Sequence, residues 1–306
     1  MPNRSRVLVT GGAGFIGRRV VAALLAEGHE VTIADLRAFP GDADAVHSVI
    51  GDLCDPATVR RAVQPGVEVI IHLAALTSVL KSVEDPVSTY RLNVGATASL
   101  IEAARENEVG TFVLASTNAV VGNVGQSVMN ENAPLRPLTP YGATKAAAEM
   151  ILGSYTSCYG IKGAALRFSN VYGPGMAEKD SFIPRLMRAA RDDEGVQVRG
   201  DGSMIRDVVH VDDVVQGIFI ALEAGHTGPL ILGSGQSVTV NDMVQTARRV
   251  TGKPIPAEHI PVISGEMPAV VLDISTIKAL GYAPRYDLEA GMATVWPDFD
   301  PTGAQA

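Results

Sequence analysis

The stretch Arg6-Val-Leu-Val-Thr10, followed at once by Gly11-Gly-Ala-Gly14-Phe-Ile-Gly17, decides the fold of this chain of 306 residues. The first five residues are mostly apolar and predict a buried strand, and the apolar run 18–26 predicts a helix. The glycines between them satisfy both G-x-G-x-x-G and G-x-x-G-x-x-G. Such glycines permit a tight turn and let backbone N–H groups approach a pyrophosphate at the helix N-terminus. A dinucleotide-binding βαβ unit is therefore predicted.

An acidic residue ends the next predicted strand. Glu30-Val-Thr-Ile-Ala34 is followed by Asp35, which lies 18 residues beyond Gly17. A carboxylate there can accept hydrogen bonds from the two ribose hydroxyls of adenosine, and it would repel a 2′-phosphate. We therefore expect NAD in preference to NADP, with Arg37 as the nearby cation that could turn towards a phosphate.

Short apolar strands alternate with helices through the first half of the chain, which indicates βαβ units and a parallel sheet. The predicted strands are 6–10, 30–34, 46–50, 68–72, 110–115 and 162–167. Two long helices are predicted over 86–107 and 140–159. Beyond them the pattern predicts an amphipathic helix over 181–192, a strand and helix over 207–224, and helices near 273–280 and 287–296.

Composition limits the partners. Hydrophobic residues make up 46% and charged residues 19%, as in an ordinary globular α/β enzyme. The net charge of −8 argues against nucleic acid, because binding its backbone needs a positive surface. The two cysteines, Cys54 and Cys158, indicate neither a disulfide framework nor a metal site. No apolar run reaches ~18 residues and the first strand begins almost at once, so we expect no membrane span, no signal peptide and a cytoplasmic location.

Tyr141-Gly-Ala-Thr-Lys145 puts a phenol and an ammonium four residues apart near the start of the second long helix. Thr139 can cap that helix, and Pro140 fits its first position. Residues at i and i+4 share a helix face, so Lys145 can hold its charge beside the Tyr141 hydroxyl. A nearby cation lowers a phenol pKa that starts near ~10, so we expect Tyr141 to transfer protons near neutral pH. A surface Tyr and Lys on an alanine-rich helix is the alternative for this motif taken alone.

Taken together, these motifs make the chain similar to the extended short-chain dehydrogenase/reductase family. Within it, the chain most resembles the NAD-dependent nucleotide-sugar epimerase/dehydratase group, above all UDP-sugar 4-epimerases. The resemblance covers nearly the whole chain. Further strings that match in order and spacing are Gly51-Asp52-Leu53, His72-Leu-Ala-Ala75, Asn93-Val-Gly-Ala-Thr97, Ala115-Ser-Thr117, Arg167-Phe-Ser-Asn170, Val171-Tyr-Gly-Pro174 and Arg206-Asp-Val-Val-His-Val-Asp-Asp213.

The resemblance implies a Rossmann-type doubly wound parallel sheet with a smaller C-terminal α/β substrate lobe. The glycine and charge pattern changes after Asn170, where we place the boundary. The NAD-binding domain is then predicted over 1–170, with 207–224 returning to it. The substrate-binding lobe is predicted over 171–206 and 225–306.

The resemblance also implies which residues contact NAD. Asp52 matches the position that accepts the adenine amino group, and Lys145 matches the one that hydrogen-bonds the nicotinamide ribose. Two alternatives stay open: Asp52 as an ordinary turn aspartate, and Asn93 as a buried polar residue that supports the site. The full implied set is Gly11, Gly14, Phe15, Ile16, Asp35, Asp52, Leu53, Leu73, Ala74, Ala75, Asn93, Tyr141 and Lys145.

The reacting and substrate-binding groups follow from the same resemblance. Thr117 matches the hydroxyl residue that completes a catalytic set with Tyr141 and Lys145, although β propensity alone also favours Thr at a strand end. Asn170 and Arg206 match residues that contact the diphosphate of the substrate, which suits the planar donor fork of an arginine. For both, a structural polar residue at a domain boundary is the alternative.

Three departures from the family pattern bear on the substrate. Val121 stands where a tyrosine often borders the substrate. Asn118-Ala119 stands where dehydratases carry Asp-Glu, so elimination of water is not expected. Ile263-Ser-Gly-Glu266 stands where the family has Arg-Pro-Gly-Asp, so a second diphosphate-contacting arginine is missing. Arg185 and Arg188 are the candidates to replace it.

We expect an NAD-dependent epimerase that inverts a secondary alcohol of a nucleotide sugar, at C4 of a UDP- or dTDP-linked hexose or uronic acid. The first alternative is a one-way NAD(P)-dependent dehydrogenase or ketoreductase. The second is a non-catalytic NAD(H)-binding regulator, although such relatives typically lose the Tyr or the Lys that this chain keeps. The family also implies a homodimer that forms through the helices 86–107 and 140–159.

Overall fold

The computed structural model describes residues 4–262 and 269–300, and the elements below are those of that part of the chain. Its strands are β1 (Arg6–Thr10), β2 (Glu30–Asp35), β3 (His47–Ile50), β4 (Val69–His72), β5 (Thr111–Thr117), β6 (Val128–Met129), β7 (Lys162–Phe168), β8 (Asn170–Tyr172), β9 (Val196–Arg199), β10 (Ile205–His210), β11 (Gly228–Leu232), β12 (Ser237–Thr239), β13 (Ala257–Ile260) and β14 (Val271–Leu272). Its α-helices are α1 (Phe15–Ala26), α2 (Pro56–Ala62), α3 (Val79–Glu84), α4 (Pro86–Tyr90), α5 (Thr97–Glu106), α6 (Pro140–Tyr159), α7 (Phe182–Arg191), α8 (Val211–Glu223), α9 (Val240–Thr251), α10 (Ser275–Ala279) and α11 (Leu288–Val295).

A seven-stranded sheet forms the main domain, in the order β11-β7-β5-β4-β1-β2-β3. Every pair of neighbours in it is parallel. The strand order reverses between β1 and β4, and in such sheets the crevice at the carboxyl ends of these strands binds the ligand. The predicted doubly wound α/β fold is confirmed, and each of the six predicted strands overlaps an observed one.

Alternating residues of the strands fill two cores, one on each face of this sheet. Val7 and Val9 face one core, whereas Leu8 faces the other. The first core is closed by α1 and α8, and the second by α2, α5 and α6. Because the strands are buried on both faces, their apolar runs are nearly continuous in the sequence.

The two long helices differ in how well the sequence predicts them. The second is α6, which has the predicted bounds, Thr139 as a cap that accepts from the Gly142 amide, and Pro140 in its first turn. The segment 86–107 is instead α4, a π-helical turn (Arg91–Ala96) and α5. The π turn carries Asn93, whose side chain is buried and bonded to a neighbouring segment, and apolar periodicity does not reveal such a turn.

The C-terminal part of the chain contributes to both a small sheet and the main one. β8, β10 and β12 form a small mixed sheet, and α7, α9 and α11 pack around a separate core. However, β11 is an edge strand of the main sheet, although the lobe was predicted to include 225–306. Its buried Leu230–Leu232 run pairs in parallel with β7 and so extends that edge of the sheet. Ile277 of α10 likewise joins the main core. The division into a cofactor domain and a substrate lobe stays a prediction.

His72, the last residue of β4, is buried inside the sheet. Its Nε2 lies 2.9 Å from Oγ1 of Thr97, and that hydroxyl donates to the Asn93 carbonyl at 2.7 Å. Since Thr97 has one hydroxyl proton, Nε2 of His72 must be the donor, which assigns the tautomer from the hydrogen-bond network. Nδ1 then accepts from the Thr10 hydroxyl at 2.6 Å. Burial, with a smaller effect of the Lys145 charge, lowers the pKa of His72 to about 3.

We predict that this neutral histidine makes the fold sensitive to acid. Because the pKa of His72 is lower in the folded chain than its usual 6.5, stability falls as the pH drops below 6.5 towards 3. The free energy of unfolding of His72→Gln, measured with urea, should therefore fall between pH 7 and pH 5 by about 2 kcal/mol less than that of the wild type. His47→Gln, a change at an exposed histidine, should leave the wild-type dependence intact. Equal pH dependence in the wild type and His72→Gln would contradict the prediction.

Candidate active site

The glycine turn after β1 brings the backbone unusually close to the end of β4. Gly11 has φ +70°, and a Cβ there would lie 2.7 Å from the Ala74 nitrogen. A Cβ on Gly17 would lie 2.1 Å from the Gly11 carbonyl oxygen, so the turn packs directly on the first turn of α1. These contacts leave room only for glycine, as the predicted pyrophosphate-binding turn requires. Phe15 and Ile16 open the helix that this turn enters.

The acidic side chain at the end of β2 is fixed against that turn. One carboxylate oxygen of Asp35 accepts from the Ala13 amide and the other from the Arg37 amide, both at 3.1 Å. A carboxylate has about four acceptor positions, so two backbone bonds leave capacity for ribose hydroxyls. The guanidinium of Arg37 belongs to an exposed residue. Asp35 is therefore placed where an adenosine ribose would need it.

The remaining residues of the predicted adenine and ribose region follow β3 and β4. Asp52 is exposed and accepts from the Cys54 amide at 2.8 Å, the bond of a turn aspartate. Leu53 is buried in the core next to it. Leu73, Ala74 and Ala75 are half-buried, and the Ala74 amide donates to the Thr10 hydroxyl at 3.3 Å. Contact of these residues with the cofactor stays a prediction.

Asn93 connects the segment after β4 to the helix that carries Tyr141. Its Oδ1 accepts from the Leu76 amide at 2.9 Å. Its Nδ2 donates to the Leu76 carbonyl at 3.0 Å and to the Thr144 hydroxyl at 3.1 Å. Both amide hydrogens are thus used within the protein. This arrangement favours the alternative in which Asn93 is a buried polar residue that supports the site by joining Leu76 to α6.

The three predicted catalytic side chains converge where β5 meets α6. The Thr117 hydroxyl lies beside Tyr141 and acts to lower its pKa. Thr117 Oγ1 also accepts from the Ala119 amide at 3.2 Å, which fixes its position at the strand end. Nζ of Lys145 donates to the Ala115 carbonyl at 2.9 Å. A phenol, a hydroxyl and an ammonium are therefore held together next to the predicted cofactor crevice.

The proton affinities at this site are strongly altered. Burial raises the pKa of Tyr141 to about 12, and the neighbouring Thr117 hydroxyl offsets this only in part. The prediction that Lys145 lowers this pKa is wrong for this arrangement, because the ammonium is directed at the Ala115 carbonyl. Burial lowers the pKa of Lys145 to about 8, while the charge of Glu149 opposes that fall.

The predicted diphosphate-binding residues lie on neighbouring strands of the small sheet. Nδ2 of Asn170 on β8 donates to the Asp207 carbonyl at 3.1 Å. Nη1 of Arg206 on β10 donates to the Ile205 carbonyl at 2.8 Å. The segment at Ile263, where the family arginine is missing, lies outside the described residues.

The two arginines proposed as replacements are engaged elsewhere. Nε of Arg185 pairs with Asp180 at 2.6 Å. Arg188 donates to the Ala177 carbonyl at 2.8 Å and to the Lys179 carbonyl at 3.1 Å. Both side chains therefore hold the loop that leads into α7.

That loop carries a cation that the sequence does not reveal. Nζ of Lys179 lies 4.6 Å from the centroid of the Phe15 ring, at the first residue of α1. Burial lowers the pKa of Lys179. Within residues 4–262 and 269–300 it forms no ion pair with a carboxylate. Lys179 lies in an irregular segment without periodicity, so no spacing rule connects it to the glycine turn.

Two further classes of site are absent from residues 4–262 and 269–300. In that part of the chain, no group of three His, Cys, Asp or Glu side chains is arranged to hold a metal ion. Among the same residues, no helix has both the length and the apolar character needed to cross a membrane. Cys54 and Cys158 are both free thiols.

Comparison with known proteins gives matches along nearly the whole chain. Residues 7–232 match the model of the NAD dependent epimerase/dehydratase family. The UDP-glucose 4-epimerase of Corynebacterium glutamicum is 31% identical over 315 residues, which cover 95% of this chain and 94% of that protein. The Thermus thermophilus UDP-glucose 4-epimerase in complex with NAD superposes with TM-score 0.88 at 33% identity, covering 97% of this chain and 99% of that one. The dTDP-glucose 4,6-dehydratase of Streptomyces venezuelae, with NAD bound, gives 0.88 at 32% identity, covering 96% and 97%.

Proposed function

Because the chain belongs to the NAD-dependent epimerase/dehydratase family, we propose that it is an epimerase that inverts a secondary alcohol of a nucleotide sugar, with C4 of a UDP- or dTDP-linked hexose or uronic acid as the reacting carbon. Membership confirms both the resemblance drawn from the sequence and NAD as the cofactor. The observation that carries the proposal is the convergence of Tyr141, Thr117 and Lys145 at the crevice beside the glycine turn.

Each side chain has a defined part in this reaction. Tyr141 takes the proton of the substrate hydroxyl and later returns it, while Thr117 hydrogen-bonds the same oxygen as it changes between alcohol and ketone. Lys145 supplies a positive charge that favours the Tyr141 phenolate. NAD bound in the crevice supplies acceptance and return of hydride at the reacting carbon. The keto sugar rotates between the two hydride transfers, so that hydride returns to the other face of the carbonyl carbon.

Epimerisation is favoured over dehydration by what surrounds Thr117. Dehydratases of the family carry Asp-Glu directly after the hydroxyl residue, whereas this chain has Asn118 and Ala119. The Asn118 side chain accepts from the Thr117 hydroxyl at 3.3 Å, so an uncharged amide occupies this place. Elimination of water needs a further acid and base at the substrate, and no carboxylate is available at those two positions.

Recognition of the diphosphate is the part of the proposal that departs most from the family. Arg206 and Asn170 would bind it from the small sheet. Lys179 would supply a further positive charge, since its ammonium is sequestered near the first turn of α1 without an acidic partner in the described residues. A cation in such a site is attracted to a diphosphate more strongly than a fully solvated one.

A homodimer through the segments 86–107 and 140–159 is also proposed. Large apolar side chains are exposed on α3, α4 and α6, which pack against one another: Val83 at 62%, Val87 at 76%, Tyr90 at 60% and Met150 at 68%. Such a patch suits a self-complementary interface with a second copy. The two free thiols fit a reducing cytoplasm, which we propose as the location.

The hydride should stay with the substrate during turnover. We expect the protein, saturated with NAD, to interconvert a UDP-sugar pair without accumulating NADH, and a deuterium at the reacting carbon should remain in the product. Tyr141→Phe should lower kcat by about 10² to 10⁴-fold while NAD binding persists, and Thr117→Val should cost less. Stoichiometric NADH would indicate a one-way dehydrogenase instead, and loss of the label would contradict the keto mechanism.

Removal of the proposed diphosphate contact should weaken substrate binding more than turnover. Arg206→Ala should raise KM for the nucleotide sugar by tenfold or more, because a charge-assisted hydrogen bond is lost equally in the ground and transition states. Lys179→Met should act in the same direction. Arg185→Ala is the matched control, since its guanidinium pairs with the exposed Asp180. Unchanged KM in both test variants would remove the support for a diphosphate at this place.

A charge placed in the exposed apolar patch should dissociate the dimer. Val87→Asp is expected to convert a dimer into monomers in sedimentation equilibrium, because a carboxylate would be buried without a partner. Val128→Asp changes a residue that is 57% exposed on β6, outside the patch, and should leave the dimer intact. A wild-type chain that sediments as a monomer would refute this interface.

A further inference from the structure

A buried ion pair lies one helical turn beyond Lys145. The carboxylate of Glu149 on α6 accepts from Nη2 of Arg167 on β7 at 2.8 Å and from its Nε at 3.1 Å. Only 7% of the Glu149 side chain and 4% of the Arg167 side chain are exposed. The Ser116 hydroxyl donates to the same carboxylate, and Nη1 of Arg167 donates to the Glu131 carbonyl at 3.1 Å. The carboxylate is thus held from two sides.

This pair and the catalytic residues share one contact between β5 and α6. Three successive residues of the strand meet three helix residues that are spaced by four. On β5, the Ala115 carbonyl accepts from Lys145 and the Ser116 hydroxyl donates to Glu149. The Thr117 hydroxyl, next along the strand, lies beside Tyr141. Ser116 also lies directly opposite Arg167 in the sheet. A spacing of four places the helix residues on one face.

The charges in this contact depend on one another. Burial of Lys145 disfavours its ammonium, and the carboxylate of Glu149 is the group that opposes this effect. Arg167 places a second buried positive charge against the carboxylate of Glu149. Without that carboxylate, two buried cations would lie near each other with no negative charge between them. The neutral form of Lys145 would then be favoured.

We propose that Glu149, held by Arg167 and Ser116, is a positioning residue that keeps the ammonium of Lys145 charged and directed at the end of β5. It touches neither the substrate site nor the glycine turn and acts through Lys145. The consequence for turnover rests on the proposed function, whereas the consequence for the charge of Lys145 does not.

The other charged groups around Lys145 leave this role to Glu149. Tyr141 on the same helix is neutral until its pKa of about 12, and His72 on β4 is neutral above about 3. β5 contributes carbonyls and hydroxyls. The remaining charged residues on the elements packed against α6 are exposed or only partly buried, and they are Lys81, Glu84, Arg91, Glu102, Arg105, Glu106 and Lys162.

The charge of Lys145 can be measured without turnover. The chain has six lysines, so a protein labelled with ¹³C at lysine Cε gives few NMR signals, and Lys145→Arg identifies the signal of interest. In the wild type, Lys145 should titrate with a pKa of about 8. In Glu149→Gln, which keeps the side-chain shape, that pKa should fall by about one unit or more.

A matched control and a second variant keep this test decisive. Glu289→Gln removes the acid of an exposed pair with Arg249 and should leave the Lys145 titration unchanged. If Glu149→Gln does not fold, Glu149→Asp serves instead, because it retains the charge but withdraws it and should lower the Lys145 pKa by less. Wild-type titration of Lys145 in a folded Glu149 variant would overturn the proposal.

The pH profile of turnover separates this inference from the proposed function. Lys145 is charged below its pKa, so activity that needs its charge is lost as the pH rises through that value. Glu149→Gln should therefore move the alkaline limb of kcat for UDP-sugar epimerisation to lower pH by about the same one unit. A shifted Lys145 titration in a protein that converts no UDP-sugar would leave this inference standing while the proposed function fails. A lowered kcat with an unmoved limb would reduce Glu149 to a structural role.

Discussion

The close backbone approach between the glycine turn and the end of β4 is the constraint on which the rest of this site depends. A side chain at Gly11 would meet the Ala74 nitrogen at 2.7 Å, so the two crossing segments can touch only through bare backbone. This contact lies where the order of the parallel strands reverses, and sheets of this kind open a crevice at that point. The Asp35 carboxylate at the end of β2 accepts a hydrogen bond from the Ala13 amide of the same turn, and the Thr10 hydroxyl accepts one from the Ala74 amide. The glycine turn, the Asp35 carboxylate and the segment after β4 are therefore fixed relative to one another by contacts with the backbone.

A series of buried hydrogen bonds connects this backbone contact to α6, the helix that carries Tyr141. It runs from Thr10 through His72 and Thr97 to Asn93, and from the Asn93 amide to the Thr144 hydroxyl. Thr144 then donates to the Tyr141 carbonyl at 2.8 Å. Each donor in it has an acceptor once His72 carries its proton on Nε2, and a fully satisfied buried network holds a single geometry. The glycine turn and the segment that carries Tyr141 are thus connected by hydrogen bonds through the core as well as by the strands.

The sequence predicts the parts of this molecule that local rules control. Buried strands appear as apolar runs, the α6 start follows from Thr139 and Pro140, and the glycine spacing identifies the turn. What it does not predict depends on distances between remote segments. Apolar periodicity could not place β11 at the edge of the main sheet, and no spacing connects Lys179 to Phe15. The pKa of Tyr141 was mispredicted for the same reason. Four residues along a helix bring Lys145 to the correct face, but the direction of its ammonium is decided by a carbonyl on β5.

Ionisation of the Tyr141 phenol depends on the balance of the buried charges around it. Lys145 and Arg167 carry two positive charges around the single carboxylate of Glu149, so this buried set has one positive charge in excess. Loss of the Tyr141 proton would bring the sum to zero, and charge balance has a large effect where burial weakens solvent screening. In the present arrangement the excess charge is directed at the Ala115 carbonyl, and burial of the ring dominates. A short movement of the Lys145 ammonium towards the phenol would transfer the same charge to the reacting oxygen. Burial therefore sets the raised pKa of Tyr141 while the ammonium stays at the Ala115 carbonyl, although the neighbouring residues carry a charge that could lower it.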